Sequence, residues 1–199
     1  RTCEVLGGWD RKQDVTSRGA QVWTEAWPLM SAAPDFWKVP FDVKDPVRTP
    51  RQIDVENAKV RKAVMLALAT ATKTLAEAGI PLDAPWGEVQ YTEHNGEKIG
   101  IPGGAHATGM FSMIGARLQP GKGYTPIITG NSWIQVVIWT DAGEVDARGL
   151  LTYSQSEEAD SPFVVDQTKL YSMGQWLRLP FTEQEIAADT VRGVELKGR

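Results

Sequence analysis

A thiol, two imidazoles and a few loop carboxylates are the groups in this chain that could do nucleophilic or acid–base chemistry. Cys3 is the single cysteine. Trimming of the two residues before it would expose an N-terminal thiol nucleophile. The plainer reading, a small buried apolar residue, is adopted. His94 and His106 are the only histidines. His94 precedes a turn and is expected at the surface. His106 lies in Gly103-Gly104-Ala105-His106-Ala107-Thr108-Gly109, a loop where an imidazole could act on a ligand. No Ser–His–Asp set with recognisable local motifs accompanies either. Gly103-Gly104 and Gly121-Lys122-Gly123 follow neither glycine-rich phosphate-loop pattern and read as loop punctuation. Glu157, Glu158 and Asp160 read as a solvated loop rather than an acid–base pair or a calcium site. Eight tryptophans are an unusual number for this length. A sugar-binding platform would use such rings. However, Trp23 and Trp27 fall on a helical pattern and Trp133 and Trp139 on a strand pattern, which favours packing. The residues alone therefore assemble no complete active site. They leave open a binding module built on tryptophans and a self-contained hydrolase built on Cys3.

The elements that would position these groups are partly legible. Leu6-Gly7-Gly8-Trp9-Asp10 reads as a turn-like apolar entry. Ser17 is placed to cap a helix carrying Ala20, Trp23, Ala26 and Trp27, which Pro28 should kink or end. Four prolines between residues 34 and 50 predict extended, turn-rich chain. Asp54 is placed to cap the clearest helix. There Val60, Val64, Ala67, Leu68, Ala71, Leu75 and Ala78 form one stripe, and Gly79 and Pro81 supply the stop. Asn95-Gly96 predicts a tight hairpin between residues 88–93 and 98–101. Residues 102–130 fit no pattern. Residues 132–140 and 145–152 predict an apolar hairpin in the middle of a sheet, covered on both faces. A polar loop, a helix over 166–176 and a second helix opened by Thr182, with Glu185 at the capping-box position, complete the chain. The pattern is α+β: a helical part over 1–82, then β hairpins followed by short helices over 83–199, read as a single region.

Composition narrows the classes. A net charge of −4 over 199 residues excludes a nucleic-acid binder working by bulk positive charge. At 42% hydrophobic and 23% charged residues the chain is not intrinsically disordered. One cysteine excludes an internal disulfide framework and a paired-cysteine zinc site. The uncharged runs over 99–116 and 123–140 contain too many glycine, proline and polar residues for membrane spans. Neither nucleic acid nor membrane is expected as a partner. The start, Arg1-Thr2-Cys3-Glu4, has no signal-peptide pattern and no methionine, and reads as a processed or excised piece.

Several stretches, in order, carry a family likeness. Gly130-Asn131-Ser132-Trp133-Ile134-Gln135-Val136, Leu150-Leu151-Thr152-Tyr153-Ser154-Gln155-Ser156 and Ser161-Pro162-Phe163-Val164-Val165-Asp166-Gln167 are three of them. Leu170, Tyr171 and Trp176 follow, and Leu6-Gly7-Gly8-Trp9-Asp10 with Ser17-Arg18-Gly19-Ala20 precede. Together they resemble the C-terminal part of the β subunit of penicillin-acylase-type N-terminal-nucleophile hydrolases. The Leu-Thr-Tyr-Ser-Gln wording is most similar to the acyl-homoserine-lactone and lipopeptide acylase branch. Phe163 stands where that family usually has histidine, and is taken as a packing variation.

The resemblance implies the C-terminal part of an αββα sandwich, with helices covering a mostly antiparallel sheet. It implies a periplasmic or secreted amide hydrolase that removes acyl chains from N-acyl substrates such as acyl-homoserine lactones, lipopeptides or penicillins. In that family a self-cleaved precursor frees a serine whose own amine is the base, while a backbone N–H and an asparagine hold the oxyanion. All of these lie upstream of the matched region. No catalytic, cofactor-binding or metal-binding residue is therefore carried onto this chain, and no cofactor is expected in it. The implied partner is the upstream part of the same precursor: the α subunit and the N-terminal part of the β subunit. Isolated from it, the chain is expected to be inactive and to self-associate through unpaired strand edges.

Overall fold

A computed structural model describes residues 1–195. The fold is α+β, with small antiparallel sheets and six α-helices among the described residues. It divides into two units, Arg1–Asn131 and Ser132–Arg199. The strand-rich stretch that opens near residue 83 is shared between them.

The first unit is built on helices α1 (Thr2–Gly8), α2 (Ala20–Met30), α3 (Ala58–Glu77) and α4 (Trp86–Val89). Leu6, Gly7 and Gly8, expected in a turn-like entry over Leu6–Asp10, instead end helix α1. Glycine's low helix propensity there is overridden by packing of Val5 and Leu6 against the core. Pro28 sits in the last turn of α2, and the helix ends two residues later at Met30. Ser17 does not cap α2. Gly19, left-handed at φ 99°, holds that position, and the Ser17 hydroxyl donates to Asp10 while accepting from the Asp14 amide. Asn57, not Asp54, caps α3 by accepting from the Lys59 amide.

The apolar stripe of α3 does what its spacing predicts. Val60, Ala67, Ala71 and Leu75 are buried. Alanines at 67 and 71 leave room for α2 to pack close, and Ala26, Met30, Phe36 and Val60 fill one core between them. A second core gathers Trp9, Val22, Leu75, Ile80, Trp86 and Tyr124.

Three antiparallel pairs complete the unit. Strands β1 (Trp37–Val39) and β2 (Arg51–Ile53) flank the proline-rich loop. Strands β3 (Tyr91–His94) and β4 (Glu97–Gly100) form the hairpin predicted at Asn95-Gly96, both of which have positive φ as a primed turn requires. Residues 88–90, expected in the first strand, belong to the end of α4 and its cap. Strands β5 (Ile114–Gln119) and β6 (Gly123–Gly130) form a bulged hairpin in the region that carried no sequence pattern.

The second unit holds a three-stranded sheet in the order β7 (Trp133–Trp139), β8 (Val145–Leu151), β9 (Leu177–Leu179), with α5 (Asp166–Ser172) and α6 (Glu183–Asp189). β7 and β8 pair as the predicted hairpin, with Val137 opposite Ala147. Its setting is not as expected. β8 is central, while β7 is an edge strand among the described residues. Ile134 is buried and Val137 half-buried, but Val136, Ile138 and Trp139 are exposed. The lack of polar alternation in β7 records an apolar strand, and this chain alone does not bury it. The helix expected over 166–176 ends at Ser172, and the chain turns at Gly174 (φ 66°) to enter β9. α6 carries the full capping box foreseen for Thr182 and Glu185.

Candidate functional site

The groups that could do chemistry stay on separate elements. Cys3 is exposed on α1. His94 ends β3, and His106 is exposed at the head of a single 3₁₀ turn, His106–Thr108. Glu157, Glu158 and Asp160 are exposed in the loop before α5. Among the described residues no group of three or more His, Cys, Asp or Glu is placed to hold a metal ion.

The glycine pairs are close-packing devices. The Gly103 amide donates to the Gln13 carbonyl and the Gly104 amide to the Ser112 carbonyl, so neither is turned to an anion. A Cβ on Gly103 would stand 2.3 Å from the Ser112 oxygen. The Gly103 carbonyl accepts from the Trp86 indole and from the Gln90 side chain, both in the core. Gly121 likewise donates to the Ala78 carbonyl.

Five tryptophans belong to the first unit, and most of them stack. Trp9 meets Trp23 at 5.6 Å between ring centroids, Trp23 stacks on Trp27 at 4.9 Å, and Trp27 meets Phe36 and Trp37. The indole N–H of Trp9 donates to the Lys12 carbonyl, and that of Trp27 to the Ala107 carbonyl. This is packing, as the patterns of Trp23 and Trp27 suggested. Beside it, the buried Tyr124 hydroxyl donates to Glu25 at 2.7 Å. Burial, reinforced by the Glu25 charge and hydrogen bond, pushes the phenol well above its ordinary pKa, so it stays a neutral donor.

The second unit contains a polar constellation that sequence reasoning did not find. Ser154, in the left-handed region at φ 65°, is buried, and its hydroxyl accepts from the backbone amides of Gln167 and Thr168, both at 3.0 Å. These amides open α5, whose own flanking residue Val165 offers no side-chain cap. Ser154 thus caps the helix from outside it. The Thr168 hydroxyl lies 3.2 Å from that of Ser154. The Gln167 side chain reciprocates by accepting from the Leu151 amide at 2.7 Å. The Phe163 carbonyl accepts from the amides of Gln155 and Ser156. The two motifs around Ser154 and Gln167 therefore hold each other. The Ser154 hydroxyl, already engaged with two amides and Thr168, is arranged to hold structure rather than to attack a substrate. Phe163, taken as a packing variation, is 58% exposed in this chain, and its carbonyl accepts the contacts to Gln155 and Ser156. No local signal marked Ser154 as a cap, because its partners lie thirteen and fourteen residues away.

Both faces of the β7–β8–β9 sheet are mixed: Ile134, Val136, Ile138 and Leu150 share one with the charged residues, and Gln135 shares the other with the tryptophans. On the first, Asp146 of β8 pairs with Arg148 and with Arg178 of β9, and Arg178 pairs with Glu185 of α6. The Arg178 hydrogen bond, with backbone N–H groups of Thr182 and Phe181, holds the Glu185 carboxyl down at about 2. Hydrogen bonding and charge from Arg148, with Arg178 adding, lower the Asp146 carboxyl. α5 packs against β8. The alternate residues, which point to the opposite face, include Trp133, Val137 and Trp139 on β7, Ala147 and Gly149 on β8, and Leu177 on β9. Trp133 lies across Gly149 so closely that a Cβ there would be 2.6 Å from the ring. Trp133 is 47% and Trp139 71% exposed.

Comparison with known proteins places these features in a family. The family model for penicillin amidase matches residues 1–188. An acyl-homoserine lactone acylase, PvdQ, of Pseudomonas syringae pv. syringae is 35% identical over 98% of this chain and 25% of its own length. The PvdQ acylase of Pseudomonas putida is 36% identical over 94% of the chain and 24% of its own length. Aculeacin-A acylase of Actinoplanes utahensis is 35% identical over 94% of the chain and 22% of its own length. The chain spans about a quarter of the length of the curated relatives it matches.

Proposed function

The chain belongs to the penicillin amidase family, and from that premise we propose that it is one portion of an N-acyl amide hydrolase whose nucleophile lies elsewhere in the same protein. The likeness of nearly its whole length to acylases carries this reading. Its own side chains agree with a supporting role. Cys3, His94 and His106 sit on three different elements, and the family motifs around Ser154 and Gln167 serve to lock a helix onto a strand. The catalytic serine, its amine and the oxyanion donors belong to the remainder, with which this chain completes an αββα sandwich. N-acyl-homoserine lactones are the substrates to try first, after the names of the relatives, with aculeacin A next. The periplasm or the cell exterior is the proposed place of action.

Amide hydrolysis tests this. The product of the complete gene should release the free amine from an N-acyl-homoserine lactone, and the 199-residue chain alone should not. A complete product with no action on any N-acyl amide overturns the reading. Activity of the short chain that disappears in Cys3→Ala would assign the chemistry to Cys3 instead.

A further inference from the structure

We propose that one internal water molecule is built into the start of α2, held by the Gln21 side-chain oxygen and by the first amides of the helix.

The site consists of buried polar groups that the described residues leave unmatched. Ala20 and Gln21 are both at 0% exposure. The Gln21 side-chain nitrogen donates to the carbonyls of Pro81, at 2.8 Å, and Ala84, at 3.1 Å. Those carbonyls fix the orientation of the side-chain amide, because turning it over would set its oxygen against theirs. The oxygen itself, Oε1, is buried, and no described group donates to it. On the same residue and its neighbour, α2 opens without a side-chain cap. The amides of Val22 and Trp23 donate to the Gly19 carbonyl, while those of Ala20 and Gln21 meet no acceptor among the described residues. Three polar groups on two adjacent residues thus lack partners, where buried groups nearly all have one.

The chemistry of these groups selects the occupant. Oε1 requires a donor, and the two amides require an acceptor. An anion suits the amides and the positive end of the helix, but Oε1 repels it. A cation suits Oε1, but the amides and that same helix end repel it. Water donates and accepts, and a buried water typically makes about three hydrogen bonds. A helical side chain leans toward the N-terminus of its own helix, which carries Gln21 to the end where these amides emerge.

The rest of the polypeptide cannot supply the partner, because neither residue has surface to offer. Gly19 shows how closely the site is covered. At φ 99° and without a side chain, it lets α1 and Trp9 lie over the helix start: a Cβ there would stand 3.1 Å from Val5 and 3.2 Å from Trp9. The Ser17 carbonyl accepts from the Trp86 amide and so draws the segment after Pro81 against the same place. Ser17-Arg18-Gly19-Ala20, one of the stretches that carry the family likeness, then has a physical task, the closing of an internal hydration site.

A crystal structure of the complete gene product, at a resolution that shows ordered water, tests this. Spherical density should stand about 2.7–3.2 Å from Gln21 Oε1 and from the amide nitrogen of Ala20 or Gln21. The peak should be missing from Gln21→Met, which keeps the bulk of the side chain and loses the oxygen. No density beside Oε1, or a protein donor bonded to it, overturns the proposal. Density that touches the Pro81 and Ala84 carbonyls but neither amide also overturns it, because a cation is then the occupant. So does a peak that persists in Gln21→Met, because the amides then hold water without Oε1. If that variant does not fold, the wild-type density decides alone.

Discussion

Replacing Ser154 by alanine should loosen α5 from β8 while leaving the first unit untouched. The hydroxyl accepts from two amides at the start of this helix, both at 3.0 Å in a buried position, where Val165 offers no side-chain cap. Loss of a serine cap costs about 0.5–2 kcal/mol. Each buried amide left without a partner carries a desolvation penalty of about 1–3 kcal/mol, which water entering the loosened site reduces. We take about 2 kcal/mol as the net cost, which is roughly a 30-fold rise in the local opening constant at 1.4 kcal/mol per decade. The backbone supplies an internal control. Ser154 sits at φ 65°, where a non-glycine residue is strained by about 1–2 kcal/mol. Ser154→Gly removes the cap but relieves that strain, so its cost should be roughly half that of Ser154→Ala. Native-state hydrogen exchange is the assay. The amides of Gln167 and Thr168 should exchange faster in the order wild type, glycine, alanine. Leu151 should follow them, because its amide is held by the Gln167 side chain. The amide of Trp86, bonded to the Ser17 carbonyl in the first unit, should not change. Exchange at Gln167 and Thr168 unaltered in Ser154→Ala, or a glycine variant looser than the alanine one, would refute the capping argument.

Acid should release α6. Glu185 has its carboxyl lowered from 4.5 to about 2 by Arg178 and two backbone amides, so its contribution is complete above 4.5 and is lost as pH falls through about 2. The opening constant of α6, read from amide exchange corrected for its intrinsic pH dependence, should rise across that window in wild type, and Glu185→Gln should remove most of that rise. Gly123→Ala should destabilise the first unit by about 1–3 kcal/mol, the usual cost of overpacking, because the new Cβ would lie 2.3 Å from the Val89 carbonyl oxygen at φ 104°. A variant that matches wild type in urea denaturation would show that this contact relaxes freely. Leu75→Ala, at a fully buried position joining α3 to the second core, should cost about 2–5 kcal/mol. Met65→Ala, on the exposed side of the same helix, should stay within about 0.5 kcal/mol of wild type in the same experiment.

The sequence was legible where local chemistry decides the outcome. The stripe from Val60 to Leu75, the Asn95-Gly96 turn and the Thr182–Glu185 capping box each depend on neighbours within a few residues, and each was read correctly. The family motifs were also legible as a likeness before any contact was known. Caps chosen among several candidates were less so, since Asn57 offers an amide oxygen and Asp54 a carboxylate oxygen near the start of α3, and helix geometry selected Asn57. The β5–β6 hairpin was hidden because bulges break its alternation and Pro126 interrupts its second strand. The role of Ser154 was hidden because its partners are distant in the chain. The setting of β7 shows a different limit. An apolar strand pattern reports that both faces and edges are to be covered, without stating which polypeptide covers them.

The central claim, that this chain frames an amide-hydrolase site without supplying its nucleophile, is tested most directly by locating the acyl group during turnover. The complete gene product would be mixed with an N-acyl-homoserine lactone, quenched in acid within the first turnovers and mapped by peptide mass. The account predicts an acyl adduct on a serine outside the 199 residues and none within them. An acyl group found on Cys3, on Ser154 or on any other side chain of this sequence would contradict it.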